Sequence, residues 1–150
     1  MQRSDAFERQ VVESINLERA RGRKCGKRPA VKAAPLTEAG RLERLARPFA
    51  AELLRTRNFS HTDAEGRDPS SRARSLGVDG FLGEALAKNA RTPAQAIDAL
   101  FRSESHCRVL THPDARFVGV AFESADNSSF ASYLVIETAI APPTVAGAVP

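Results

Sequence analysis

The last third of the chain holds two apolar runs, Phe117-Val118-Gly119-Val120-Ala121-Phe122 and Tyr133-Leu134-Val135-Ile136, separated by a polar stretch from Ala125 to Ser129. Two such runs, rich in β-branched and aromatic residues and joined by a short polar segment, pair most simply as an antiparallel hairpin. Almost everything before them reads as helix. A hairpin must cover its apolar faces, and here only the preceding helices can do so. This order predicts an α+β fold, with helices layered on a small antiparallel sheet.

The helices are legible one by one. Asp5 to about Arg21 carries Phe7, Val11, Val12 and Ile15 near helical spacing, and Gly22 ends it. A second helix opens at Thr37, with Leu42, Leu45, Phe49, Leu53 and Leu54 as its buried stripe and Pro48 bending it. Asn58 to Thr62 then leaves as a loop. Asp68-Pro69 and Thr92-Pro93 each place a capping side chain before a proline at the first helical position. They predict a short helix to about Leu76, stopped by Gly77, and another through Ala96, Ile97, Leu100 and Phe101. Phe81 to Ala87 has strand character. From Pro142 the chain reads as a flexible tail, 142–150, which leaves 4–141 as one domain.

With 150 residues there is room for a single core, and with no Trp and one Tyr that core is aliphatic, supplemented by eight Phe. No run approaches the roughly 18 apolar residues of a membrane span. Met1-Gln2-Arg3-Ser4 shows no signal-peptide pattern, so composition leaves a cytoplasmic protein and a mature secreted domain equally open.

The net charge of +4 is unevenly placed: residues 1–60 hold 14 Lys/Arg against 7 Asp/Glu, and residues 61–150 hold 8 against 11. The excess gathers in Arg19, Arg21, Arg23, Lys24, Lys27, Arg28 and Lys32. Such a cluster could touch phosphates or an anionic envelope surface, but no aromatic residue interleaves these cations, so nucleic-acid binding is not expected and the segment reads first as a solvated, mobile loop. Cys25 and Cys107 form no CxxC or zinc-ribbon spacing. Their separation allows two free buried thiols, or one bridge closing a loop on the order of 80 residues and stabilising the fold by roughly 4–5 kcal/mol.

His61, His106 and His112 each lie in or beside a loop, where binding groups concentrate. Glu84 follows Gly83 inside an apolar strand, and a carboxylate there needs a partner, for which a histidine is a natural candidate. No HExxH, GxSxG or P-loop spacing occurs. His112, in Thr111-His112-Pro113-Asp114, reads as a turn residue.

Taken in order, Phe59-Ser60-His61-Thr62, Gly83-Glu84-Ala85-Leu86-Ala87, Ser103-Glu104-Ser105-His106-Cys107-Arg108-Val109-Leu110 and Phe117-Val118-Gly119-Val120-Ala121-Phe122 resemble the bacterial branch of the CAP superfamily, the cysteine-rich secretory, antigen 5 and pathogenesis-related-1 proteins. Asn16-Leu17-Glu18-Arg19-Ala20, Cys25 and Pro35-Leu36 resemble that family's opening, so the likeness runs from about residue 8 to residue 140. It implies an α-β-α sandwich, a Cys25–Cys107 disulfide, and a secreted or periplasmic location, with Met1 standing in for a removed leader. It also implies a cleft lined by His61, Glu84 and His106, with Ser103 at a fourth position that is acidic in many relatives. Leu100 replaces an aromatic residue, Ala85 an Asn and Leu134 a Trp of the family pattern.

Three functions follow. The first is a secreted binding module for a lipid, an envelope component or a partner protein, whose cleft takes a small ligand or, on His61 and His106, a divalent metal such as zinc. The second is a metal-dependent hydrolase with Glu84 as base. The third is a thiol hydrolase with Cys107 as nucleophile, which requires a free thiolate. The family fold itself brings no general reaction.

Overall fold

The computed structural model describes residues 2–3, 5–125 and 130–141, so the tail expected from residue 142 and the tip of the hairpin lie outside the described residues. In chain order the elements are β1 (Gln2–Arg3), α1 (Asp5–Arg21), β2 (Thr37–Glu38), α2 (Gly40–Thr56), α3 (Pro69–Ser75), β3 (Phe81–Lys88), α4 (Pro93–Arg102), α5 (Glu104–Leu110), β4 (Phe117–Ala125) and β5 (Ala131–Ala139).

The hairpin is the centre of the sheet. β4 and β5 pair antiparallel from Phe117↔Ala139 to Ala125↔Ala131, and β5 also pairs antiparallel with β3. Along the sheet the order is β1-β4-β5-β3, with β2 lying parallel on β4. Among the described residues β3 is therefore an edge strand, paired on one side.

Alternation along each strand sorts the core into two halves. Ala85 and Ala87 of β3, Val120 and Phe122 of β4, and Leu134 and Ile136 of β5 pack with Phe7, Val11 and Ile15 of α1 and Leu100 of α4. The intervening Leu86, Ala121, Tyr133 and Val135 pack with Phe49, Ala50 and Leu53 of α2. The result is the α-β-α sandwich: α1, α4 and α5 on one face, α2 and α3 on the other. The second interface is unusually close. At Gly119 an added Cβ would sit 2.2 Å from the backbone carbon of Leu42, so only glycine lets α2 approach β4 there.

The proline-led starts behave as the caps require. The Asp68 carboxylate accepts from the Ser71 amide at 2.8 Å, and the Thr92 hydroxyl accepts from the Gln95 amide at 3.1 Å. The helix expected to open at Thr37 starts instead at Gly40. The Thr37 amide donates to Arg116 O and the Ala39 amide to Val118 O, both at 2.9 Å, which holds this stretch extended along β4 and delays the helix. α2 continues through Pro48.

The basic segment after α1 also differs from the mobile loop expected of it. Arg23 forms an antiparallel bridge with Val31, the Arg28 amide donates to Cys25 O at 3.3 Å, and Cys25 is disulfide-bonded to Cys107 of α5 with a Cα–Cα distance of 5.6 Å. The bridge joins sequence positions 82 apart. One member of the apparent basic cluster is not at the surface at all. Arg19 is fully buried, and its guanidinium donates to the carbonyls of Ala34, Leu110, His112 and Ala115 at 2.7–3.0 Å. Burial, and then the nearby Arg116, lowers its pKa to about 10, so it stays charged at neutral pH and holds the start of the loop against the end of α5.

Candidate functional site

Glu84 sits on β3 with its side chain toward the α2–α3 layer, only 1% exposed. A carboxylate this deep needs compensation. Two groups provide it. His61, in the loop after α2, places Nδ1 2.8 Å from Glu84 Oε1. Arg72 of α3 donates from Nη1 to Glu84 Oε2 at 2.8 Å and from Nη2 to Glu84 Oε1 at 3.1 Å, a two-point grip on the carboxylate. The same Nη2 donates to the His61 backbone carbonyl at 2.7 Å, so one guanidinium fixes both the acid and the loop that carries the histidine. The guanidinium carbon lies 3.7 Å from the centre of the Phe49 ring, which seats the cation on α2.

A second acid lies directly opposite. In the β3–β5 register Glu84 pairs with Glu137, which is wholly buried. Cross-strand neighbours of like charge repel, and Arg72 Nη1 approaches Glu137 Oε2 only to 3.9 Å. Burial, then the adjacent Glu84, raises the Glu137 pKa well above the usual carboxylate range. Neither Glu137 oxygen accepts a hydrogen bond from a described donor. Burial and the facing carboxylate both favour the protonated form of Glu137.

The opposite layer brings the second histidine to the same strand. His106 on α5 is half-buried beside the free edge of β3, and its pKa is lowered by burial and then by repulsion from His61. Beside His106 runs a groove of about 240 Å³ with Phe59, Ala87, Leu100 and Ser103 in its wall. Ser103 Oγ meets Ser105 Oγ at 3.2 Å.

Of the residues expected in the cleft, His61 and Glu84 are in direct contact, while His106 and Ser103 share the neighbouring groove. Arg72 and Glu137 join them without any expectation from the sequence. Glu84 does not fit the role of a hydrolytic base, because its oxygens already accept three hydrogen bonds and the side chain is shut off from solvent. The reading of Cys107 as a nucleophile is overturned by its disulfide to Cys25, which leaves no thiolate. His112 is a turn residue whose Nδ1 accepts from the Asp114 amide at 3.1 Å.

Among the described residues no group of three or more His, Cys, Asp and Glu has the arrangement of a metal site. Two imidazoles remain as donors. A carboxylate accepting at Nδ1 of a neutral His61 fixes the proton there and leaves Nε2 as the lone pair, the usual second-sphere arrangement behind a metal-binding histidine. Nε2 has no hydrogen-bond partner among the described residues, and the His61 side chain is 50% exposed.

The family model for the cysteine-rich secretory protein family, CAP, matches residues 12–137. The uncharacterized protein YkwD of Bacillus subtilis is 26% identical over 118 residues, covering 78% of this chain and 42% of that protein. The chain therefore spans less than half the length of this curated relative. An outer surface protein of Borrelia burgdorferi has a similar fold, with a TM-score of 0.65 and 20% identity over 92% of this chain and 97% of that one. The crystal structure of NaASP2 with Zn2+ superposes with a TM-score of 0.58 and 17% identity, over 92% of this chain and 81% of that one.

Proposed function

This chain belongs to the cysteine-rich secretory (CAP) protein family, and from that premise we propose that it is a secreted binding module whose cleft presents His61 Nε2 and His106 to a divalent metal or a small ligand. The observation that carries the reading is the anchoring of His61. Glu84 orients the ring through Nδ1 and Arg72 holds the loop through the His61 carbonyl, while half the side chain, with Nε2, stays open to solvent. Neutral His106 beside it supplies a second lone pair, because burial disfavours its protonation. NaASP2, a structure of the same fold described with Zn2+, supports zinc as the first metal to try. Secretion is supported by the disulfide, which persists in oxidising compartments, and by the outer-surface description of the Borrelia protein.

Glu84 and Arg72 are positioning residues in this reading and do not ligate. With two protein donors, the remaining positions around a bound metal fall to water or ligand, and a bound metal would supply Lewis acidity to a coordinated carbonyl or carboxylate. The apolar wall of the groove beside His106 suits a ligand with a small apolar end. The test is a calorimetric zinc titration at neutral pH on the wild type and on His61→Ala/His106→Ala. Binding in the micromolar range that disappears in the double variant is expected. No heat of binding in the wild type, with the variant merely less stable, would leave the histidines a structural role only.

A further inference from the structure

The basic segment carries charge that the fold does not use. Arg19 is consumed by four carbonyls. Arg23 and Arg21 share Glu18, and Arg108 pairs with Glu104. Lys24, Lys27, Arg28 and Lys32 are exposed and have no carboxylate partner among the described residues. The Arg23–Val31 bridge and the Cys25–Cys107 disulfide hold them on one ordered segment. Along that segment lies a groove of about 260 Å³ lined by Arg23, Arg28 and Arg108 together with Val31, Pro29 and Pro113, with no carboxylate in its lining. Val31 is 52% exposed, an aliphatic tip set between cations. The groove shares no lining residue with the groove beside His106.

Cations flanking an exposed aliphatic tip are what an anionic lipid interface recognises. The charges meet phosphate head groups, and the apolar tip and arginine stems enter the head-group boundary. From this arrangement we infer that the segment 23–32, together with the end of α5, docks the protein on an anionic lipid surface. The spread of four unpaired cations along the segment favours an extended charged surface over one small soluble anion. The lack of an aromatic side chain in the groove disfavours a single-stranded nucleic acid, which would use stacking. The inference is independent of the histidine cleft.

Sedimentation with phosphatidylglycerol-containing vesicles, against vesicles of phosphatidylcholine alone, tests it. Binding to the first only, weakened by salt, is expected. Lys27→Gln/Arg28→Gln/Lys32→Gln changes only exposed, unpaired side chains. It is expected to lower partitioning about a hundredfold, roughly fivefold per cation, with the thermal midpoint unchanged. Val31→Ser lowers it several-fold further at constant charge. Arg9→Gln/Arg44→Gln/Arg55→Gln removes the same net charge from exposed positions elsewhere, and His61→Ala/His106→Ala removes the cleft; both are expected to bind vesicles as the wild type does. Three results overturn the inference: no preference for the anionic vesicles, an equal loss in the Arg9/Arg44/Arg55 variant, or displacement from vesicles by millimolar glycerol phosphate. The last would make the groove a site for a soluble phosphate.

Discussion

His61 and His106 reach the same sheet edge from opposite layers, and the fold treats them differently. His61 is held through Glu84, Arg72 and the Phe49 ring, a chain of contacts that ends in α2. His106 rests on a short helix beside Ser103, whose hydroxyl engages only another serine, and beside a groove with mostly apolar walls. His61 is oriented through its own ring nitrogen, whereas His106 is placed by the helix that carries it, which the neighbouring Cys107 ties to Cys25. One donor is set by side-chain hydrogen bonds and the other by backbone and disulfide.

The largest test of this asymmetry is Arg72→Leu. It strips the cation from two facing carboxylates and from the His61 carbonyl at once. Loss of one partner of a buried pair costs about 3–5 kcal/mol, which for a chain of this size lowers the melting temperature by about 10 °C. Denaturant unfolding measures it. A cost below about 1 kcal/mol would mean that the carboxylates are neutralised by protons and that His61 is less firmly tied than its contacts indicate. Glu84→Gln ranks next. It keeps the shape but removes the charge that orients His61, and about 1–3 kcal/mol of stability should go with it. If zinc binds, its affinity should fall about tenfold or more, as for other outer-sphere carboxylates.

Glu137→Gln should act in the other direction. The folded-state pKa of Glu137 is raised, so the native protein keeps a proton that the unfolded chain gives up. That contribution is fully present below the unfolded pKa of about 4.3 and is lost as pH rises toward the folded value, with the slope of one titrating proton. The amide cannot ionise. The variant should therefore lack this decline and overtake the wild type toward alkaline pH, as followed by denaturant unfolding at a series of pH values. Parallel pH profiles for the two proteins would show that Glu137 is already ionised and otherwise compensated.

The same residues mark where sequence is informative and where it is silent. The hairpin, the two Pro-led helices and the α-β-α layering are legible in it, because period, caps and apolar runs are local signals. Glu84 stands out because a carboxylate in an apolar strand is out of place, and the family likeness brings it to His61. Glu137 carries the same signal in Ile136-Glu137-Thr138, but one acid in a strand does not name its neighbour. Only the β3–β5 register, which is non-local, shows that the two acids face each other. Arg72 is hidden differently. In Ser71-Arg72-Ala73-Arg74 nothing distinguishes the buried arginine from the exposed one two residues on, yet α3 turns Arg72 and Ala73 inward. The helix has no large apolar residue to bury, and a helix that must dock without one uses what it has. Arg19 misleads for the same reason, since composition cannot tell a cation spent on buried carbonyls from one facing solvent. Thr37 suggests a helix start because its capping chemistry is local, while its pairing with β4 is not.

The smallest expected effect concerns the His106 side. Among the described residues the Ser103 hydroxyl hydrogen-bonds only Ser105, so Ser103→Glu should change stability by less than about 0.5 kcal/mol, while placing a carboxylate at the position expected to be the fourth of the cleft. In the wild type the His106 pKa is depressed, so the unfolded chain takes up a proton below about pH 6.5 that the native ring resists. That term is fully present above this pH and is lost as pH falls toward the folded pKa of His106. A neighbouring carboxylate favours the imidazolium. In Ser103→Glu the His106 titration, followed by its ring-proton NMR shift, should therefore move upward, and the acid-side loss of stability should shrink. An unmoved titration would mean that the new side chain points into solvent and that α5 does not bring position 103 to bear on His106. The two halves of the cleft would then be separate sites, and His61 alone would remain as a positioned donor.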